Sequence, residues 1–396
     1  MKILQSIPYM LASHGGPSTC TCDLLEGLCS VVKTNSDTRQ FDVDLLTSYP
    51  KGEGDKILGF NRPWMKTVVC DYKTPLALSK NINEYLAQTD YDLYHANTLW
   101  LYPTHATCRH AVKTGKKYVL SPHGMLYPTA LAVSAWKKKL MEALWYRKDV
   151  MEASCLHATC VQEMEYCRAY GYKGPIAVIP NPVVFPDYIK DFKRTPDSFK
   201  YQNGKRCIGF LGRLHPIKKV ENLIYAVDKL SVEQQSQVSL QIMGKFDDQY
   251  EQWLKDEVKR LHLEDCVEFV GYVNGKDKYD RLSRLSALMV PSAQENFGMI
   301  VPEALICGTP VYASLGTPWN ELNDQSCGWW KENDPTVIAD VIRDILSKTE
   351  VELLEMGKRG RLLMEEKYEQ HKVAQMMIEL YSWILDGGEK PTFVYE

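Results

Sequence analysis

Glu295 and Glu303 bracket the string ENFGMIVPE inside the stretch 290–313, VPSAQENFGMIVPEALICGTPVYA. The apolar run Ala287 to Val290 predicts a buried strand that Pro291 and Ser292 end. A loop carrying Glu295 follows, then a helix opening at Gly298 to Ile300 and carrying Glu303, a stop at Gly308, and a strand from Pro310 to Ala313. This order sets Glu295 at the carboxyl edge of a parallel sheet, where open α/β proteins bind ligands. Glu303 stands about a turn and a half into the helix and can face the same crevice. Between them the N–H groups of Gly298, Met299 and Ile300 are helix-start donors backed by the helix dipole, and Gly298 lets an anion approach the backbone. One anion seat flanked by two hydroxyl acceptors has the outline of a sugar, a diphosphate and a ribose. Taken as isolated residues, the two glutamates would read as solvated charges around an ordinary βαβ turn.

Two cations and a histidine occupy comparable places. Arg213 and Lys218 lie in GRLHPIKK, the turn between a predicted strand at 206–211 and a helix whose Val220, Leu223, Ile224, Val227 and Leu230 share one face. An arginine fork and a lysine point charge at a strand's carboxyl end can clamp both phosphates of a diphosphate, and the same contact steadies the charge on a departing one. His123, in SPHGMLYP, follows a strand at 118–121; it reads either as a crevice residue or as a loop histidine bonded to backbone. Gly15 and Gly16 follow the first strand, 2–7, and permit either a plain tight turn or close approach of a ligand. Val270 to Tyr272 end the strand VEFVGYV, where backbone groups would meet a base.

The string ENFG (Glu295, Asn296, Phe297, Gly298), then Pro-Glu-Ala-Leu, then Gly-Thr-Pro-Val, resembles the Glu-x7-Glu signature of retaining glycosyltransferases of family 4, which have the GT-B fold. The resemblance implies two Rossmann-like domains facing across a cleft, a nucleotide diphosphate sugar as donor, and front-face transfer with retained anomeric configuration. It implies catalytic roles for Glu295, His123, Arg213 and Lys218. Donor binding would add Gly15, Gly16, Val270, Tyr272, Asn296, Phe297, Gly298, Met299, Ile300 and Glu303, with no metal and no cofactor. His123 would contact the donor sugar, Glu295 its hydroxyls, and Glu303 the ribose. Lys219 and Pro182 depart from the family pattern, which has glycine at both places. The PHGM string followed by a basic aromatic helix resembles bacterial polysaccharide-assembly transferases, so the expected acceptor is a glycan or lipid-linked hydroxyl in capsule, O-antigen or exopolysaccharide synthesis, with UDP favoured over GDP in the donor.

Composition bounds the remaining classes. The 396 residues suit about two to three domains. A net charge of −3 with both signs interspersed implies no nucleic-acid partner. MKILQSIPYM reads as a first strand and not a signal peptide, and no run of roughly 18 apolar residues exists to span a membrane. The 12 cysteines are scattered with no CxxC pair, which predicts reduced buried thiols in a cytoplasmic protein. Neither half carries GxGxxG with a later acid, which disfavours a dinucleotide oxidoreductase.

The elements divide as an N-terminal domain over 1–185, a charged linker at 186–205, a nucleotide-sugar domain over 206–375, and a C-terminal helix and tail, 376–396, returning to the first domain. Tyr49 to Trp64 reads as a long loop. Asp42/Asp44 and Asp90/Asp92 form Asp-x-Asp triplets, but both precede their apolar runs and so read as strand-entry caps instead of metal ligands. The helix over 132–151 carries Trp136, Leu140 and Leu144 on one face among Lys137, Lys138, Lys139, Arg147 and Lys148. That stripe either faces the core or docks peripherally on anionic lipid. Two other functions fit the same donor cleft: a sugar-nucleotide epimerase and a nucleotide-binding scaffold without turnover.

Overall fold

The computed structural model describes residues 1–11, 16–34, 41–50, 57–70, 76–195, 198, 204–245 and 248–396. Two compact units result: Met1–Val184 with Tyr368–Glu396, and Phe185–Lys367. In the first, β1 (Lys2–Ile7), β2 (Asp42–Pro50), β3 (Met65–Cys70), β4 (Leu93–Asn97), β5 (Lys117–Ser121), β6 (Cys155–Ala158) and β7 (Ile176–Val178) form a parallel sheet. In the second, β8 (Arg206–Leu211), β9 (Val238–Met243), β10 (Val267–Gly271), β11 (Ala287–Val290), β12 (Val311–Ser314) and β13 (Gly328–Lys331) form another. A short strand, β14 (Val394–Tyr395), returns antiparallel to β7.

The first sheet runs β14-β7-β6-β5-β4-β1-β2-β3 and the second β10-β9-β8-β11-β12-β13. Each reverses direction beside its first strand, at β1/β4 and at β8/β11. Crevices at the carboxyl ends of such reversals are where open α/β sheets seat ligands. Alternation along the strands covers both faces of the first sheet: Ile3 and Ile7 enter one apolar cluster and Leu4 the opposite one, as Val43 and Leu45 do against Leu46. The second unit buries its own cluster, with Ile208, Phe210, Leu240 and Ile242 at its centre.

Four expectations change. Residues 186–205 do not all act as a free linker, because their described part packs on the second unit. Arg194 is buried there and donates to Gly308 O at 2.7 Å and Thr309 Oγ1 at 2.9 Å. The return to the first unit starts before 376: the helix Gln370–Asp386 places Val373, Ala374, Met377, Leu380 and Tyr381 in the first unit's core. The loop read over Tyr49 to Trp64 hid β3 just beyond it, an edge strand whose half-buried residues give a weak apolar signal. The helix over 132–151 is interrupted at Val133 and Ser134, the latter at φ 54°, and contains one π-helical turn, Glu142–Tyr146. Trp136, Leu140 and Leu144 are exposed and not core-facing, because Trp145 and Tyr146 take the inner positions.

Of the Asp-x-Asp residues, Asp44 accepts the Tyr91 hydroxyl at 2.8 Å and pairs with Lys66 at 3.1 Å, while Asp90 pairs with Lys116 at 3.0 Å and Asp92 accepts the Lys2 N–H at 2.7 Å. No described helix is long and apolar enough to cross a membrane.

Candidate active site

In the second unit, the turns after β8, β9 and β10 and the helix Ile300–Ile306 enclose a pocket of about 260 Å³. Arg213, Tyr272, Lys278, Ile300 and Glu303 line it, with Gly212 and Gly244 as backbone. The two glycines allow that floor: Gly244 sits at φ +150°, and a Cβ there would stand 1.8 Å from Gly212 O. Glu303 and Lys278 pair at 2.7 Å in this wall, each about one-fifth exposed. Lys278 escaped the sequence reading; its signal was a lysine in the first turn of the helix Gly275–Leu282, directly after a strand end.

Lys218 and Glu295 are brought together as a salt bridge, both mostly buried. Ser292 Oγ also donates to Glu295 Oε1, at 2.7 Å, so both bonds use one oxygen and leave Oε2 without a partner among the described residues. The backbone explains why these side chains meet. Ala293 N–H donates to Ile217 O at 2.8 Å, tying the loop after β11 to the loop after β8. Glu295 N–H donates to Gly316 O at 2.9 Å, and a Cβ on Gly316 would stand 2.2 Å from Ala293 O.

Gly298 takes φ +76° just before the helix. Trp319 Nε1 holds Phe297 O at 2.5 Å, with the two rings edge-on at 5.1 Å. Phe297 is therefore a buried support and not a lining side chain. The N–H groups of Gly298, Met299 and Ile300 donate to no backbone carbonyl among the described residues, so three consecutive donors are available at the helix start. Asn296 lies half-buried between Glu295 and Phe297. Val270 is not in the pocket wall; the register shift between Phe269 and Gly271 and the φ +87° of Gly271 turn the chain so that Tyr272 and Val273 reach it instead.

The first unit carries the other predicted residues. Gly16 is exposed at the start of the helix Gly16–Thr34, and Gly15 lies outside the described residues. His123 follows β5 at φ 51°, with Gly124 also left-handed at φ 75°. The loop is pinned by Glu163, a buried carboxylate that sequence reading missed because only the fold brings its helix, Val161–Ala169, beside the loop. Its Oε1 accepts Gly124 N–H, and its Oε2 accepts the Thr159 N–H at 2.7 Å and hydroxyl at 2.8 Å.

Behind His123 runs a chain of buried polar groups whose donor order is fixed from both ends. Asn97 Nδ2 donates to Ser6 O and to Gln5 Oε1, both at 3.3 Å, so Asn97 Oδ1 accepts from His123 Nε2 at 3.0 Å. At the other end His157 Nε2 donates to Ile179 O at 2.8 Å, so its Nδ1 accepts the Ser121 hydroxyl at 2.7 Å. Ser121 Oγ then accepts from His95 Nε2 at 2.6 Å, His95 Nδ1 accepts from Tyr381 at 2.6 Å, and Gln5 Nε2 donates to Tyr381 at 2.9 Å. All three rings are neutral Nε2–H tautomers. Burial draws the imidazolium range of His123 down to about 3, helped by His157. Burial draws His157 to about 4 and His95 well below its ordinary value.

Residues 15–182 match a family model described as a glycosyl transferase 4-like domain, and residues 191–362 match glycosyl transferases group 1. The N-acetyl-alpha-D-glucosaminyl L-malate synthase of Bacillus anthracis is 26% identical over 49% of this chain and 51% of its own. The gpi3 subunit of the Schizosaccharomyces pombe phosphatidylinositol N-acetylglucosaminyltransferase is 23% identical over 77% of this chain and 61% of its own. The chain thus spans about half to three-fifths of these relatives' lengths. Two solved structures share the fold: Anabaena HepE in complex with UDP and glucose (TM-score 0.72, 17% identity, 96% and 99% coverage), and the sucrose-phosphate synthase of Thermosynechococcus elongatus (TM-score 0.74, 20% identity, 98% and 100% coverage). With both units matched in order and this fold shared over the chain, the chain belongs to the GT4-type glycosyltransferases of the GT-B fold.

Proposed function

We propose that this protein moves a sugar, with retention of anomeric configuration, from a nucleoside diphosphate donor to a hydroxyl of a glycan or lipid-linked acceptor in surface-polysaccharide assembly. The observation that carries the donor reading is the pocket at the carboxyl ends of the second sheet, where Arg213 and Lys278 provide positive charge beside Glu303. The charged groups on its wall suit the phosphates and ribose of a nucleoside diphosphate better than a neutral sugar alone. The presence of UDP and glucose in the HepE complex favours UDP as the first nucleotide to try.

In this reading Arg213, Lys218 and the N–H groups of 298–300 take the diphosphate. Glu303 takes the ribose, Tyr272 borders the base, and Glu295, through its open Oε2, takes sugar hydroxyls. His123, neutral with a lone pair on Nδ1, accepts from a sugar hydroxyl. The bond from the anomeric carbon to the diphosphate oxygen breaks as the bond to the acceptor oxygen forms on the same face, and the acceptor proton passes to the leaving phosphate. The cations stabilise charge on the leaving group, and they bind it more tightly as it departs. No step is assigned to a metal.

The test is a panel of UDP- and GDP-sugars incubated without acceptor and assayed for released nucleotide. Slow hydrolysis of one donor, lost in Lys218→Ala and Glu295→Ala, supports the reading. Nucleotide binding without turnover would return the chain to a scaffold, and release of an epimerised sugar would make it an epimerase.

A further inference from the structure

The segment Ala135–Met151 has two apolar faces, and only one of them has a partner among the described residues. On the inner face Trp145 stacks on His105 at 4.8 Å and Tyr146, fully buried, packs edge-on against Trp100 at 5.2 Å. The π turn Glu142–Tyr146 makes this possible by setting two consecutive large rings toward the core. On the outer face Trp136 is 70% exposed, Leu144 60% and Leu140 55%; Val133, in the break before the helix, is 66% exposed. Anchoring the segment therefore does not explain the outer stripe, and three large apolar side chains at helical spacing in solvent mark an interaction surface.

The charges around the stripe say what kind. Residues 132–152 hold Lys137, Lys138, Lys139, Arg147 and Lys148 against Glu142, Glu152 and the buried Asp149, in a chain whose net charge is −3. Lys138 turns inward, donating to Ala130 O and lying 5.6 Å over the Trp100 ring. Lys137 and Lys139 are exposed beside the stripe with no acidic partner among the described residues, while Arg147 and Lys148, also exposed, pair with Glu142 at 3.5 Å and Glu152 at 3.6 Å. An apolar centre with long cationic side chains on both sides is the pattern of a helix lying in the plane of a bilayer interface, its lysine stems on the acyl boundary and its ammonium groups among anionic headgroups. We infer that this face docks the first unit on an anionic lipid surface, which would deliver the enzyme to a lipid-linked acceptor. The docking itself does not depend on the donor reading above.

The experiment is flotation of the full chain with vesicles of phosphatidylcholine, with and without phosphatidylglycerol. The expected result is co-flotation only when phosphatidylglycerol is present, weakened by salt. Each exposed cation contributes about five-fold to partition near such a surface, so Lys137→Glu/Lys139→Glu should lower bound protein by more than about twenty-fold. The variant Trp136→Ser/Leu140→Ser/Leu144→Ser, whose positions are all outside the core, should remain folded by circular dichroism and stay with the unbound fraction. Wild-type protein that fails to float, or variants that float equally well, would overturn the inference. So would sedimentation equilibrium showing a wild-type dimer that the serine variant splits, since a second copy would then cover the face. A chain that turns over a nucleotide sugar but never floats defeats this inference alone; one that floats without turnover defeats only the donor reading.

Discussion

Lowering the pH from about 7.5 to about 5 should remove roughly 2 kcal/mol of stability from the first unit through His157, with His95 acting in the same direction. Both are buried, and both are neutral by the geometry of their bonds: protonating His157 Nδ1 would set a second donor against the Ser121 hydroxyl, and protonating His95 Nδ1 would do the same against Tyr381. An unfolded histidine titrates near 6.5, whereas in the fold His157 titrates near 4 and His95 well below its ordinary value. Because the folded values are the lower ones, the unfolded chain binds more protons in that interval. The stabilisation is complete above about pH 6.5 and is lost as pH falls toward the folded values. For His157 this is about 1.4 kcal/mol per unit over about 1.5 units, or about 2 kcal/mol at pH 5. That loss is an appreciable share of the roughly 5–15 kcal/mol that holds a typical domain. Urea titrations at stepped pH, followed by circular dichroism, give the slope. His157→Gln offers an N–H to Ile179 O and an oxygen to Ser121 without titrating, so it should shrink the acid loss by about 2 kcal/mol and leave the share of His95 and His123. A flat stability between pH 7.5 and 5, or an unchanged slope in the glutamine variant, would refute the assigned tautomers.

Other outcomes follow from single contacts. Glu163→Gln turns an amide NH₂ toward Gly124 or Thr159 N–H groups that now meet carboxylate oxygens; it should cost about 2 kcal/mol by denaturation and lower turnover by loosening His123. Gly244→Ala drives a Cβ into Gly212 O and should cost about 3 kcal/mol, read as an early thermal transition of the second unit. Lys278→Met removes the partner of Glu303 and should weaken UDP binding about tenfold by calorimetry, with unfolding little changed.

Sequence carried the second unit further than the first, for a physical reason. Around β8 and β11 the candidate residues lie in the loops after strand ends and in the helix that follows, so strand, turn and helix signals also place Arg213, Lys218, Glu295 and Glu303. Lys278 was missed because its partner is distant in sequence and its own helix looks like an ordinary charged surface helix. In the first unit the supports of His123 come from four separate segments: Asn97 on β4, Gln5 on β1, Glu163 after β6, and Tyr381 near the C-terminus. No local periodicity announces that Gln5 or His95, each inside an apolar strand, is part of a polar chain. The stripe at Trp136, Leu140 and Leu144 had two readings in sequence because helical spacing reports a shared face, not which way that face points.

The insertion of 368–396 into the first unit also fixes an order of manufacture. When residue 184 has been synthesised, the first sheet lacks β14 on its β7 edge, and the helix Gly16–Thr34 lacks the helix that supplies Tyr381 and the bond from Gln370 to Asp23 O. The second unit is continuous in the chain and can close as soon as it emerges. The half made first is thus the half finished last, after the remaining 212 residues (396 less 184) have followed. At ribosomal speeds this is roughly 10 to 40 s of exposed apolar surface. Tags or truncations at the C-terminus should therefore depress yield by stranding the N-terminal unit, while the unit nearer to them in sequence folds undisturbed.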